Sequence, residues 1–154
     1  MLYVTDRATL RRATPHDAAA IRDLSRAAYA KWVQLIGREP WPMVADYDAA
    51  VRNHVIDLLD IDTALVALVE VILRPDHLLI ENIAVAPAFQ GLGHGRRLMD
   101  HAEHYAAACG FGEVRLYTNQ LFAANIDLYR RLGYRIAREE TITIGVIVHM
   151  RKTI

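Results

Sequence analysis

The sequence predicts a mixed α/β fold, a central sheet of about seven strands with helices on both faces. Three observations predict it. Strand-like and helical stretches follow one another in the order β-α-α-β-β-β-α-β-α-β-β. Two short turn segments, Asp60-Ile61-Asp62 and Arg74-Pro75-Asp76, join three consecutive strands, which makes those strands antiparallel hairpins. Two later helices each lie between strands, and such a crossover brings the strands it joins parallel.

The elements follow in order. Leu10 to Arg12 is a short first strand. Thr14-Pro15-His16-Asp17 opens a helix: Thr14 caps it, Pro15 suits the first helical position, and Asp17 favours the positive end of the dipole. Ile21, Leu24 and Ala28 follow at helical spacing, and the helix runs to about Val33. Gly37-Arg38-Glu39-Pro40-Trp41-Pro42 breaks it, and a second helix lies around Asp46 to Asn53. Three strands come next, about Val55 to Leu59, Ala64 to Leu73 and His77 to Val85, the last ended by Ala86-Pro87. Gly95 to Cys109 is a helix with the apolar stripe Leu98, Ala102, Tyr105, Ala106 and Cys109, closed by Gly110. Val114 to Tyr117 is a strand, and Phe122 to Leu132 a helix closed by Gly133. Tyr134 to Arg138 and Val146 to Arg151 are the last two strands, the final one exposed and able to pair with a second copy.

Bulk properties bound the function. A chain of 154 residues fits one domain, residues 1–154, and buries about two-thirds of its unfolded surface without a staple. Net charge is zero, from 18 basic and 18 acidic residues, which argues against nucleic-acid binding. Cys109 is the only cysteine, so no internal disulfide forms and a cytoplasmic setting is expected. Cys109 itself reads as core. Met1 to Arg12 lacks the apolar centre of a signal peptide. No apolar run reaches the about 18 residues of a membrane helix; Thr63 to Leu73 contains Glu70 and reads as a strand. His101 and His104 are three apart on a helix with no third ligand, so no metal is expected.

The segment Ile80-Glu81-Asn82-Ile83-Ala84-Val85-Ala86-Pro87 runs into Gln90-Gly91-Leu92-Gly93-His94-Gly95-Arg96-Arg97. Strand, glycine-rich turn, then helix is an arrangement that binds phosphate. The first-turn N–H groups lack helical partners, the dipole adds about half a positive charge, and glycines allow close backbone approach. Arg96 and Arg97 can add charge-assisted contacts. A Walker-type loop needs a Lys followed by Ser or Thr, which is missing here. The dinucleotide G-x-G-x-x-G spacing does not fit glycines at 91, 93 and 95 preceded by hairpins. A glycine turn with no ligand is the bland alternative for the loop alone.

Gln90, Gly93 and Gly95 match the Q/R-x-x-G-x-G/A signature, and Val85-Ala86-Pro87 matches the strand end before it. Asn125-Ile126-Asp127-Leu128-Tyr129-Arg130-Arg131-Leu132-Gly133-Tyr134 looks like an N-x-x-x-x-Y-x-x-x-G-F/Y stretch. With these the sequence resembles the GNAT acetyltransferase superfamily, over roughly Leu10 to Ile154. The resemblance implies the GNAT fold and acetyl-CoA-dependent transfer to an amine of a small molecule or peptide, by direct attack in a ternary complex. It implies that Gln90, Gly91, Leu92, Gly93, His94, Gly95 and Arg96 cradle the pyrophosphate through backbone N–H groups. It implies that Ile83, Ala84 and Val85 hydrogen-bond the pantetheine arm beside a splayed sheet. It implies that Asn125 approaches the pantetheine or the thioester end and that Tyr129 sits near the sulfur and can protonate the leaving thiolate. The alternative from another class is a non-catalytic acyl-CoA sensor or interaction module on the same fold.

Direct transfer needs a neutral amine, an electrophile and a proton source. Glu81 is the candidate base: alternation puts it on the face of Ile83, and a mid-strand carboxylate is costly to bury without a partner. The other reading of Glu81 is a cross-strand ion pair. Tyr129, a phenol with an ordinary pKa near ~10, donates without being charged; its other reading is packing with Phe122 and Ile126. Tyr29, Trp32 and Trp41 stack on the acceptor or cap the core, Tyr117 and Asn119 sit at a strand end, and His149 lies in the last strand; these are the acceptor-site candidates. A homodimer is open, and neither the acceptor nor the acyl length can be read from these residues.

Overall fold

Residues 7–154 are described by a computed structural model; residues 1–6 of the stretch read as lacking a leader centre lie outside them. The strands are β1 (Ala8–Arg12), β2 (Val55–Ile61), β3 (Ala64–Leu73), β4 (Leu78–Val85), β5 (Glu113–Asn119), β6 (Arg135–Ile142) and β7 (Gly145–Thr153). The helices are α1 (Ala18–Tyr29), α2 (Val33–Ile36), α3 (Trp41–Val44), α4 (Tyr47–Asn53), α5 (His94–Ala108) and α6 (Ala123–Arg131). A tight turn at Pro15–Asp17 precedes α1, another at Ala30–Trp32 links α1 to α2, and a third at Pro87–Phe89 follows β4.

Among the described residues the seven strands form one mixed sheet in the order β1-β2-β3-β4-β5-β7-β6. The two hairpin turns make β2, β3 and β4 successive antiparallel neighbours, as the turn chemistry predicts. α5 carries the chain from β4 to a parallel β5. α6 carries it onward to β6, but β6 does not join β5. β7 inserts between them, antiparallel to both. The final strand is therefore interior, correcting the expectation of an exposed one; the two edges are β1 and β6, and most residues of β6 are exposed.

Each face of the sheet has its own core. On one, Ile21, Leu24 and Ala28 of α1 and Tyr47 and Ala50 of α4 pack with Ile56, Leu58, Leu68 and Ala84. On the other, Leu98, Met99, Ala102 and Ala106 of α5 pack with Ala67, Val69, Val71, Leu78 and Ile80, and Ile126, Tyr129 and Leu132 of the α6 region join them. The α5 residues fall at helical spacing, so one stripe is removed from water and the polar stripe stays out. Burial of Leu98 or Met99 contributes roughly 1.5–3 kcal/mol each. Cys109 corrects the core reading: α5 ends at Ala108, the stripe ends with it, and the thiol is exposed.

Candidate active site

β4 and β5 pair only from Leu78–Ile80 to Val114–Leu116. Beyond that point β4 stays with β3 and β5 stays with β7, so the sheet opens at one seam. Ala86 N–H donates to Val66 O at 2.8 Å. With a period of two, the peptide groups of Ala84 and Asn82 then face β3, and those of Ile83 and Val85 face the seam. Two side chains already reach these groups. The Tyr29 hydroxyl lies 3.0 Å from Ile83 O, and Gln90 Nε2 donates to Val85 O at 2.9 Å. An extended arm carrying amides fits along this edge as an added strand would.

The glycine loop closes one end of the seam. Gly91 has φ 78° and Gly93 φ 88°, a left-handed backbone that a side chain strains. A Cβ built at Gly91, Gly93 or Gly95 meets no atom within 4 Å, so the loop lines open space. Gly93 caps α5, and Arg97 N–H is the first with an intrahelical acceptor, Gly93 O at 3.0 Å. The N–H groups of His94, Gly95 and Arg96 therefore carry the orphan positive end of the helix. Gln90, Gly91, Gly93, His94, Gly95 and Arg96 line a cavity of about 450 Å³ with Val85 and Ile83. Lys31 Nζ donates to Gln90 Oε1 at 2.8 Å and adds a cation at the rim. Leu92 points outward, 66% exposed.

A second cavity, of about 110 Å³, continues from the first through the seam. Tyr29, Ile83, Asn125 and Tyr129 line both. Beyond this junction lie Glu81, Asn82, Tyr117, Asn119, Arg38 and Trp41. The Tyr129 side chain is half-buried, and desolvation of its phenol pushes the pKa up to about 12. Its hydroxyl is thus neutral and a donor throughout the physiological range.

Glu81 departs from the expected geometry. The β3–β4 register passes from Glu70↔Asn82 to Val71↔Ile80, so Glu81 is the extra residue of a β-bulge. Alternation fails there. Ile83 packs with the α5-side core, while Glu81 accepts from Tyr117 Oη at 2.7 Å. That carboxylate and burial both push the Tyr117 phenol above its ordinary value, burial the more. Asn82, 4% exposed, pins the bulge: its Nδ2 donates to Ser25 and Tyr47 hydroxyls at 3.3 Å, and its Oδ1 lies 2.9 Å from the Tyr29 hydroxyl.

Other expected residues separate. Trp32 stacks on Phe122 with ring centroids 4.5 Å apart and lines the loop-side cavity rather than the Glu81 cavity. His149 lies behind Tyr117, ring centroids 6.1 Å apart; it contacts Glu140 at 3.0 Å and lines a neighbouring cavity with Arg138 and Arg151. Trp41 lines the Glu81 cavity and stays 58% exposed. Ala84 lies between Ile83 and Val85 with its side chain in the α1-side core. Arg38, Asn82 and the pair His54–Glu70 are not singled out by the sequence. A polar Asn amid the apolar β4 pattern was a readable signal; Arg38 sits among helix breakers and gave none. Among the described residues no cluster of three or more His, Cys, Asp or Glu has metal-holding geometry, and no helix is long and apolar enough to cross a membrane.

Residues 19–134 match the model of the acetyltransferase (GNAT) family. The chain is 39% identical over 87 residues to a streptothricin acetyltransferase of Streptomyces lavendulae, covering 56% of this chain and 46% of that protein. It is 40% identical over 63 residues to N-alpha-acetyltransferase 80 of Mus musculus, covering 41% of this chain and 19% of that protein. The chain thus spans less than half the length of these curated relatives. Its fold is similar to the PaiA N-acetyltransferase of Thermoplasma acidophilum in complex with coenzyme A, with TM-score 0.82, 16% identity, and 96% and 99% of the two chains covered. It is also similar to the ribosomal-protein-S18-alanine N-acetyltransferase of Escherichia coli, with TM-score 0.78, 23% identity, and 96% and 94% covered.

Proposed function

The chain belongs to the acetyltransferase (GNAT) family, and on that premise we propose that it transfers an acetyl group from acetyl-CoA to an amine by direct attack in a ternary complex. One observation carries the reading. A helix-start anion cradle and a carboxylate–phenol pair lie at opposite ends of two cavities that meet at Tyr29, Ile83, Asn125 and Tyr129. The curated relatives are named for acetyl transfer with different acceptors, so they support the reaction rather than an acceptor.

The residues fit coenzyme A in kind. The N–H groups of the Gln90–Arg96 loop bind the pyrophosphate, with the helix dipole and Lys31 adding positive charge. Ile83 and Val85 bind the pantetheine amides once the Tyr29 and Gln90 side chains yield their carbonyls. Asn125 stands at the thioester end. Bound acetyl-CoA supplies a thioester electrophile and a thiol leaving group. Glu81 Oε1 accepts a proton from the acceptor's ammonium, directly or through water, which frees the neutral amine to attack the thioester carbonyl, and Tyr117 orients that carboxylate. Tyr129 Oη holds a proton at the junction of the cavities for the departing sulfur, and burial keeps it protonated. Asn119 and Trp41 border the acceptor.

The same reading takes residues 1–154 as one catalytic unit working in the cytoplasm, where the lone exposed Cys109 stays reduced. The open edge of β6 is the route by which two copies pair as a homodimer. No metal takes part. The test is thiol release from acetyl-CoA across a broad amine panel, beside calorimetry with coenzyme A. Saturable release with at least one amine supports the transferase reading. Tight coenzyme A binding without release from any amine overturns it in favour of an acyl-CoA sensor, and absence of binding overturns the loop assignment.

A further inference from the structure

Arg38 lines the same cavity as Glu81 and Tyr117, and among the described residues its guanidinium has no carboxylate partner. Its Nε is buried with no hydrogen-bond acceptor. Among the described residues no carboxylate lies within ion-pair distance of its guanidinium, whereas nearby Arg26 takes Glu39 at 2.9 Å and Arg22 takes Asp48 at 3.4 Å. The segment carrying it is held in place. Arg26 grips Glu39 and also donates to Met43 O at 2.8 Å, so both sides of the Arg38–Met43 strap are tied to α1. Pro40, Trp41 and Pro42 then stiffen the wall of the cavity.

A buried donor with no acceptor is costly unless something supplies one. A guanidinium is a planar fork suited to a carboxylate, which it takes with two parallel hydrogen bonds. On the same cavity stands Glu81, already committed to Tyr117 and not to Arg38. The cavity therefore presents one carboxylate and one unanswered guanidinium, separate from each other. The complementary ligand carries both charges: an amine and an anion on one small molecule.

We propose that Arg38 is the specificity determinant of the acceptor site, and that the acceptor is a small amino compound bearing a carboxylate. Its amine lies toward Glu81 and its carboxylate is gripped by the Arg38 fork. This rests on the transferase reading above for the role of Glu81, while the binding step is separable from turnover.

The test uses matched probes on the protein with coenzyme A bound. Amino acids, β-alanine and γ-aminobutyrate are each compared with their own carboxamides, by calorimetric titration and by thiol release from acetyl-CoA. At least one acid binds at least about tenfold more tightly than its amide, as one charge-assisted bidentate contact implies. Arg38→Gln brings that ratio near one with coenzyme A affinity unchanged. Arg38→Lys keeps part of it, and Arg38→Glu reverses it toward the carboxamides. Amides that bind as well as acids in the wild type overturn the proposal, as does an acid preference that survives Arg38→Gln. Acid-selective binding that depends on Arg38, with no thiol release from any probe, supports the anchor and counts against the transferase reading alone.

Discussion

Tyr117 Oη donates to Glu81 Oε1 at 2.7 Å, just where β4 and β5 stop pairing after Ile80 and Leu116. The bulge brings this about. Without the extra residue Glu81 would project with Ile83 into the α5-side core, where a carboxylate has no partner. Glu81→Gln removes proton acceptance while keeping shape, so turnover falls by about 10²–10⁴-fold with little change in coenzyme A affinity. Tyr117→Phe removes one hydrogen bond to the carboxylate and costs about tenfold. Steady-state rates beside calorimetry separate the two. Undiminished turnover in Glu81→Gln removes the base role and leaves the proton to solvent water.

Tyr129 gives a different signature. Its side chain lines both cavities, and desolvation lifts its pKa to about 12. Tyr129→Phe lowers turnover by about 10²-fold while leaving coenzyme A affinity within a few-fold. Because the phenol stays protonated until well above its ordinary value, the wild-type rate shows no alkaline fall below about pH 10 from this group. Equal turnover of the Phe variant, with equal coenzyme A affinity, would strip Tyr129 of the acid role.

How much of this the sequence carried depends on how local the signal was. The turn segments near Asp60–Asp62 and Arg74–Asp76 and the glycines before α5 act over a few residues, so the hairpins and the helix stand, although β2 runs on through Asp60 and Ile61 and α5 spans His94–Ala108. The insertion of β7 between β5 and β6 is a choice among distant partners, which no local pattern encodes. The Glu81 bulge likewise depends on Glu70 and Val71 across the ladder, so strict alternation misplaced the one residue whose face mattered most. Trp32 and Trp41 share a segment and an amino-acid type. Yet the turn at Ala30–Trp32 directs one to Phe122 and the loop-side cavity, while α3 directs the other to the Glu81 cavity.

Gly93 tests the anion cradle. With φ 88° it holds a conformation that costs an L residue roughly 1–2 kcal/mol, and it caps the helix whose first N–H groups face the loop cavity. The space around it is open, so Gly93→Val strains the backbone without an internal clash. The expected result is a modest drop in thermal stability and a loss of coenzyme A affinity of at least about 10²-fold. Calorimetry that still finds wild-type affinity would place the pyrophosphate elsewhere.

The pair of half-buried His54 and buried Glu70 yields a pH-dependent stability. Glu70 is 4% exposed and its carboxylate lies 2.6 Å from His54 Nδ1. Burial raises its pKa, and the His54 contact opposes that rise. A carboxylate whose folded pKa exceeds its unfolded value keeps the proton more tightly when folded. Stability is then present at low pH and lost as pH climbs through the folded value. His54→Ala removes the opposing contact, so the rise grows and the loss with it. The variant is less stable than wild type by about 3 kcal/mol near neutral pH, for a buried charge left unpaired. The deficit shrinks toward pH 4, where Glu70 is mostly protonated in both states. Chemical denaturation at pH 4.5, 6 and 7.5 reads this directly; a deficit independent of pH would mean that His54 matters only for packing against α4. The companion variant Glu70→Gln, neutral at every pH, loses this dependence, and pairing it with His54→Ala adds little further cost near neutral pH.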